Sequence, residues 1–391
     1  MPIVERIAAL QPEVAAWRRD LHAHPEILFD VHRTAASVAE KLKAFGCDEV
    51  VTGIGKTGVV GVIRGRGTGD ARGKVIGLRA DMDALPMEEQ TNLPYRSTQP
   101  GKMHACGHDG HTAMLLGAAK YLAETRNFAG SAVVIFQPAE EGGGGGDAMV
   151  KDGLMERFGV QEVYGMHNMP GIPIGHFAIR PGPMMAAADR FSLTIEGKGG
   201  HAARPHHCID TIVVASHVIT ALQTVTSRNV DPLESAVVSV CSIKAGDTFN
   251  VIPQKAAILG TVRTLTNEVR DLCEIRIRAV VDQICAAFGA TATLDYSRGY
   301  PVTHNDPAKA EFMASVARQV AGDPAVDTTL VPLMGAEDFS FMLEKRPGAY
   351  IFLGNGETAG VHHPAYDFND EATPYGVSLW AKIVETGMPA R

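Results

Sequence analysis

The sequence predicts an α/β protein: a mostly parallel sheet flanked by helices, interrupted by an inserted ferredoxin-like α+β segment. Three observations lead there. Short apolar runs alternate with stretches of helical period before residue 181 and again after residue 300, the rhythm of a parallel sheet with helical crossovers. Between them the order becomes β-α-β-β-α-β, that of the split βαβ unit. The 391 residues also exceed what one ordinary core organises, so at least two domains are expected.

Taken in order, the apolar run from Lys74 to Leu78 leads into Arg79-Ala80-Asp81-Met82-Asp83, a buried strand delivering two carboxylates at its C-terminal end. Residues 111–125 have helical spacing, and 131–137 read as a near-continuous strand running into Pro138-Ala139-Glu140-Glu141. The next strand, 163–166, runs into His167. Parallel sheets bind ligands beyond the carboxyl ends of their strands. Asp81, Asp83, Glu140, Glu141 and His167 all fall at such ends. After Pro181-Gly182-Pro183 the expected strands are 191–197, 236–243, 256–262 and 291–296, with helices over 209–225 and 268–288. The sheet domain resumes near Thr303, with a strand over 349–353 and the polar segment 361–368. This gives one domain from 1–186 and 300–391, and an inserted one over 187–299.

Composition excludes several classes. Net charge is -8 and no Lys/Arg block stands out, so neither nucleic acid nor an anionic membrane is an expected partner, and a small molecule fits better. No stretch approaches about 18 uncharged apolar residues. The six cysteines are scattered without a C-x-x-C pair, which suits reduced thiols and a cytoplasmic location. Gly53-Ile54-Gly55-Lys56-Thr57 hints at a phosphate loop, but that motif needs Gly where Val50 stands; the glycines from Gly142 have Asp147 where a dinucleotide fingerprint needs its third Gly. No G-x-S-x-G elbow of a serine hydrolase occurs.

The densest chemistry is Met103-His104-Ala105-Cys106-Gly107-His108-Asp109-Gly110-His111, a thiol and three imidazoles within nine residues. One bland reading is a polar loop whose histidines cap the next helix. A Cys and three His together favour metal, and in an extended stretch His104, Cys106 and His108 would leave the backbone on one side. Two ions close together need three or four protein ligands each, a bridging group and shared water. A general base must stand near that water without being consumed as a ligand. Adjacent Glu140 and Glu141 suit this division, since neighbouring side chains diverge and one carboxylate can hold metal while the other faces substrate. A solvated acidic pair is the alternative, made less apt by the buried strand before it and the glycine run after it.

These motifs resemble a known family, the two-metal aminoacylase, carboxypeptidase and hippurate hydrolase metallopeptidases, within it the branch of hippurate and indoleacetyl-amino-acid hydrolases. The likeness covers nearly the whole chain: the run from Arg19 to Glu26, Arg79 to Pro86, His104 to His111, Pro138 to Gly142, Gly165-Met166-His167, Gly200-His201-Ala202, Asn250-Val251-Ile252-Pro253, Gly335 to Phe339, and His362 with its neighbours. It implies hydrolysis of an N-acyl amino acid amide, with Cys106, His108, Glu141, His167 and His362 as metal ligands and Glu140 as the base. It further implies that His201, in the inserted domain, reaches a partner subunit's site to stabilise the oxyanion, although the residue alone reads as a solvated loop histidine. Asn250 and Arg263 would take the substrate carboxylate; otherwise they are an Asn in a bend and an exposed strand Arg. Asp83 would orient the centre, and Asp81 stands where other branches keep a histidine ligand. His362 rather than His363 is the expected ligand.

A thiolate favours zinc or manganese, with nickel or cobalt by loading, over magnesium as the pair of divalent ions. The resemblance also implies a homodimer through the inserted lid domain, or a higher homo-oligomer. Alternatives on the same fold are a dipeptidase or carboxypeptidase acting on small peptides, and a non-catalytic sensor of acyl amino acids.

Overall fold

A computed structural model describes residues 4–391. The chain divides into two compact units. One runs through Gly182 and takes in His304–Val331 and Asp338–Arg391; the other holds Pro183–Thr303 and Pro332–Glu337.

The first unit is built on an eight-stranded sheet in the order Glu49–Ile54, Gly58–Arg64, Ser131–Gln137, Val75–Asp81, Glu162–Met169, Gly348–Gly354, Phe177–Ala178 and Val326–Asp327. The four strands from Ser131–Gln137 to Gly348–Gly354 pair in parallel, and antiparallel neighbours flank them. These central strands are buried along almost their whole length, which is why they read as continuous apolar runs rather than alternating ones.

The helix His108–Thr125 is buried nearly all round because it lies between the strand Val75–Asp81 and the helices Glu5–Ala23 and Thr373–Gly387. Small residues permit this close approach. A Cβ at Gly110 would collide with the Phe368 ring, and one at Gly117 would crowd Val14 and Val377. Gly53 and Ile54 end the strand Glu49–Ile54, and residues 55–57 turn directly into the antiparallel strand Gly58–Arg64 rather than into a helix, so this run is a hairpin and not a phosphate loop.

The second unit has a four-stranded antiparallel sheet ordered Ala236–Ala245, Lys255–Thr264, Ala187–Glu196 and Thr291–Arg298. That order is the ferredoxin-like one, and the α/β fold class read from the sequence holds. The strand Ala187–Glu196 alternates buried and outward residues, as expected with one face on the core. Phe191, Leu193 and Ile195 from that strand pack with Val218 and Ile277 of the helices Thr211–Thr224 and Asn267–Ala287. Both helices start with a side-chain cap: Asp210 accepts from the amides of Ile212 and Val213, and Thr266 from that of Val269. Among the described residues no helix is long and apolar enough to cross a membrane.

Candidate metal centre

Parallel pairing brings the ends of Val75–Asp81 and Ser131–Gln137 together, and Asp83 joins the loops that follow them. Its carboxylate accepts the backbone N–H of Glu140 at 2.9 Å and that of Glu141 at 3.1 Å. Its backbone carbonyl accepts Nδ1–H of His108 at 2.8 Å. One buried residue therefore holds three candidate functional residues. The Ala139 backbone before the glutamates is left-handed, φ 55°, which is uncommon for a residue with a Cβ.

Tautomers follow from the partners. Because a carbonyl can only accept, His108 carries a proton on Nδ1, and its Nε2 is turned inward, buried and without a hydrogen-bond partner. His167 likewise donates Nδ1–H to the Asn168 carbonyl at 2.5 Å, leaving a bare Nε2 3.3 Å from Cys106 Sγ. Glu141 Oε1, also buried without a hydrogen-bond donor, lies 3.3 Å from His362 Nε2 and 4.0 Å from His108 Nε2.

Donor atoms converge in overlapping groups: Cys106, His108 and His167; Cys106, Glu141 and His362; His108, Glu140 and Glu141. Within each group they lie within 4.8 Å of one another. Soft, imidazole and carboxylate donors aimed inward with unsatisfied lone pairs are what a divalent pair requires. The local field agrees. The Cys106 and Glu141 side chains beside its ring outweigh desolvation and push His362 up to about 10, so these groups attract positive charge.

Two sequence expectations need correction. His104 does not join Cys106 and His108: the chain turns at His104, where the Ala105 amide donates to the Met103 carbonyl at 3.0 Å, and the His104 ring instead lies 6.4 Å from that of His22. The alternation argument assumed an extended backbone that this turn breaks. Glu140 and Glu141 do not diverge, since they occupy a turn and both bring an oxygen to the His108 group. Asp81, whose role the sequence leaves open, accepts from Arg79 at 2.7 Å and from His111 Nδ1 at 2.6 Å, and it forms a further candidate donor group with His108 and His111.

His362 reaches the donor groups, while the His363 ring accepts from the Ala365 amide in its own loop. His201, Asn250 and Arg263 belong to the second unit and to none of the donor groups. His201 is exposed and accepts from the Ala203 amide, the Asn250 carbonyl accepts from the Ala202 amide, and Arg263 donates to the Val262 carbonyl.

Sequence reasoning missed the supports. Asn168, Tyr366 and the Arg79–Asp338 pair, bonded at 3.0 Å, are buried around the donors. The adjacency of Asn168 to His167 and the closeness of Tyr366 to His362 were the available signals.

A second charged cluster anchors the helix that begins at His108. His22 Nδ1 lies 2.8 Å from Asp109 and Nε2 lies 3.3 Å from Glu89, and Arg18 bonds Asp370 at 2.8 Å. Burial opposes a charged ring, but the hydrogen bonds to Asp109 and Glu89 more than offset it and lift His22 from 6.5 to about 9. His104 beside it is pushed by burial down to about 3 and stays neutral.

A raised folded-state value means stability that is fully present below about 6.5 and lost as pH rises through about 9. The expected loss across that window is on the order of 3 kcal/mol. Urea melts of wild type and His22→Gln across the window should show a stability gap that closes toward the alkaline end. A gap independent of pH would refute the charge assignment.

The fold and donor set define a metal-binding α/β protein that carries a ferredoxin-like insert. The chain belongs to peptidase family M20/M25/M40, whose sequence pattern matches residues 77–386. It is 45% identical over 383 residues to the hippurate hydrolase of Campylobacter jejuni, covering 98% of both chains. It is 43% identical over 370 residues to the N-acetyl-L-cysteine deacetylase of Bacillus subtilis, covering 94% of this chain and 86% of that one. A Bacillus subtilis structure described as a dinuclear metal binding peptidase of the M20 family superposes with a TM-score of 0.83 at 35% identity, covering 97% of this chain and 99% of that one.

Proposed function

We propose that the chain hydrolyses the amide bond of N-acyl-L-amino acids with two divalent ions held by Cys106, His108, Glu141, His167 and His362. The observation that carries this reading is the convergence of the buried Nε2 atoms of His108 and His167 beside a thiol and two carboxylates. The activities named for relatives above 40% identity agree with it. When bound, the ions supply the Lewis acidity that polarises an amide carbonyl and lowers the pKa of water.

The chain's own part is proton handling and placement. Glu140 accepts the water proton and returns it to the departing amine. Asp83 is a positioning residue, holding both glutamate amides and the His108 ring. Asn250 and Arg263 take the substrate carboxylate, for which a guanidinium is suited. The thiol favours zinc or manganese, with cobalt or nickel by loading.

The enzyme is proposed to be a cytoplasmic homodimer through its second unit, residues 187–299 serving as lid and contact. That unit has an unpaired edge strand, Ala236–Ala245, and exposes Ile243 and Leu259. His201 of one subunit then completes the other's site. His201→Ala should lower kcat by about 10²-fold, the effect of removing an oxyanion donor, with metal content unchanged. Normal turnover in a dimer verified by light scattering would remove the role in trans.

The function is tested by an amine-release screen over acetyl, benzoyl and indoleacetyl amino acids and dipeptides, with elemental analysis of the same preparation. Release from acyl amino acids is expected. Binding without release would mark a sensor, and release from dipeptides alone a peptidase.

A further inference from the structure

We propose that Asn168, held by Tyr366 and His111, is a positioning residue that fixes the ligands Cys106 and His167 relative to one another; this rests on the metal-centre reading above. Asn168 follows His167 in the strand Glu162–Met169 and is fully buried, as is Tyr366. Each of its polar groups is used. Its carbonyl accepts His167 Nδ1–H at 2.5 Å, and its Nδ2 donates to the Cys106 carbonyl at 2.6 Å. The amide orientation is settled by that second contact, because a carbonyl offers no proton and must face nitrogen. Oδ1 therefore faces Tyr366, whose hydroxyl donates to it at 2.7 Å.

The backbone N–H of Asn168 donates to His111 Nε2 at 2.9 Å. That nitrogen is thus unprotonated, and the His111 proton sits on Nδ1 against Asp81 at 2.6 Å. His111 is neutral with its lone pair spent. This explains why the third imidazole of the nine-residue run serves the scaffold and not an ion.

One residue therefore ties segments sixty positions apart. It sets which His167 nitrogen faces the thiol, and it restrains the backbone that carries the thiol. The packing is tight as well: a Cβ at Gly107, between Cys106 and His108, would collide with Asn168 Nδ2 and with the Tyr366 hydroxyl. Partners of this kind orient a ligand and its tautomer, and their loss typically weakens metal binding by about 10–100-fold. Tyr366 lies four residues beyond His362, so the same bracket links the loop of the exposed ligand to the buried pair.

The test compares wild type, Tyr366→Phe and Asn168→Asp as full-length chains. Tyr366→Phe removes one oxygen and leaves Asn168 Oδ1 without its donor. Asn168→Asp sets an acceptor against the Cys106 carbonyl. Each protein is stripped, reloaded with cobalt(II) and challenged with a chelator, while the thiolate-to-cobalt charge-transfer band and the metal-induced rise in Tm are followed.

Both variants are expected to release cobalt at about 10–100-fold lower chelator concentration, with a weaker charge-transfer band and a smaller metal-induced rise in Tm. Wild-type retention and spectrum in Tyr366→Phe would overturn the proposal. So would an equal loss of Tm with and without metal, which is the signature of packing alone. If Asn168→Asp does not fold, Tyr366→Phe decides. If the wild-type chain takes up no cobalt, the metal-centre reading fails too; if wild type binds cobalt and the variants match it, only the bracket fails.

Discussion

Glu140→Gln should keep its metal ions and lose turnover by about 10²–10⁴-fold, the usual contribution of a positioned general base. The substitution conserves size and one acceptor oxygen while removing the capacity to take a proton. The backbone bonds that place the residue run from the Glu140 and Glu141 amides to Asp83 and do not involve the altered side chain. Elemental analysis and amine release on one preparation check both halves. Substantial turnover in the variant would take Glu140 out of the mechanism. Loss of metal together with activity would instead make it a ligand, a reading its place in the His108 and Glu141 donor group keeps chemically intelligible.

The largest stability effect is expected from Arg79→Leu. The guanidinium is fully buried, donating to Asp81 at 2.7 Å, to Asp338 at 3.0 Å and to Gln137 at 2.9 Å. Deleting it leaves two buried carboxylates short of compensating charge, a loss of about 3–5 kcal/mol. Urea denaturation reads this directly. Arg79→Leu combined with Asp338→Asn should recover part of the loss, because the second change removes one stranded charge. A single variant within about 1 kcal/mol of wild type would show that the network is not held by charge.

Much of the architecture was legible because its signals are local. Near-continuous apolar runs marked the central strands, since burial on both faces erases alternation. The β-α-β-β-α-β order of the second unit follows from period changes within a dozen residues. Ligand candidates were legible for another reason: Cys106, His108, Glu141, His167 and His362 are chemically distinctive and stand in recognisable runs. What holds them was not legible. Asn168 and Tyr366 are ordinary residues whose role exists only through partners far away in the chain, and Asp338 gains its meaning from Arg79 on a different segment. His104 was misassigned for a related reason. The two-residue spacing that seemed to align it with Cys106 and His108 presumed a straight backbone, and the turn centred on His104 breaks that geometry.

Ala139 carries a further implication. A residue with a Cβ held at φ 55° costs on the order of 1 kcal/mol relative to glycine. The neighbouring glycines from Gly142 onward would have met the same bend at no steric penalty, yet the distorted position is filled by a methyl group packed out of water. Glycine there would relax the folded loop while widening the freedom of the unfolded chain, so the two effects nearly cancel in stability. They do not cancel in accuracy. A methyl-bearing residue confines the hinge before the two acids to a single narrow basin, so their aim is written into the polypeptide and does not await an arriving ion.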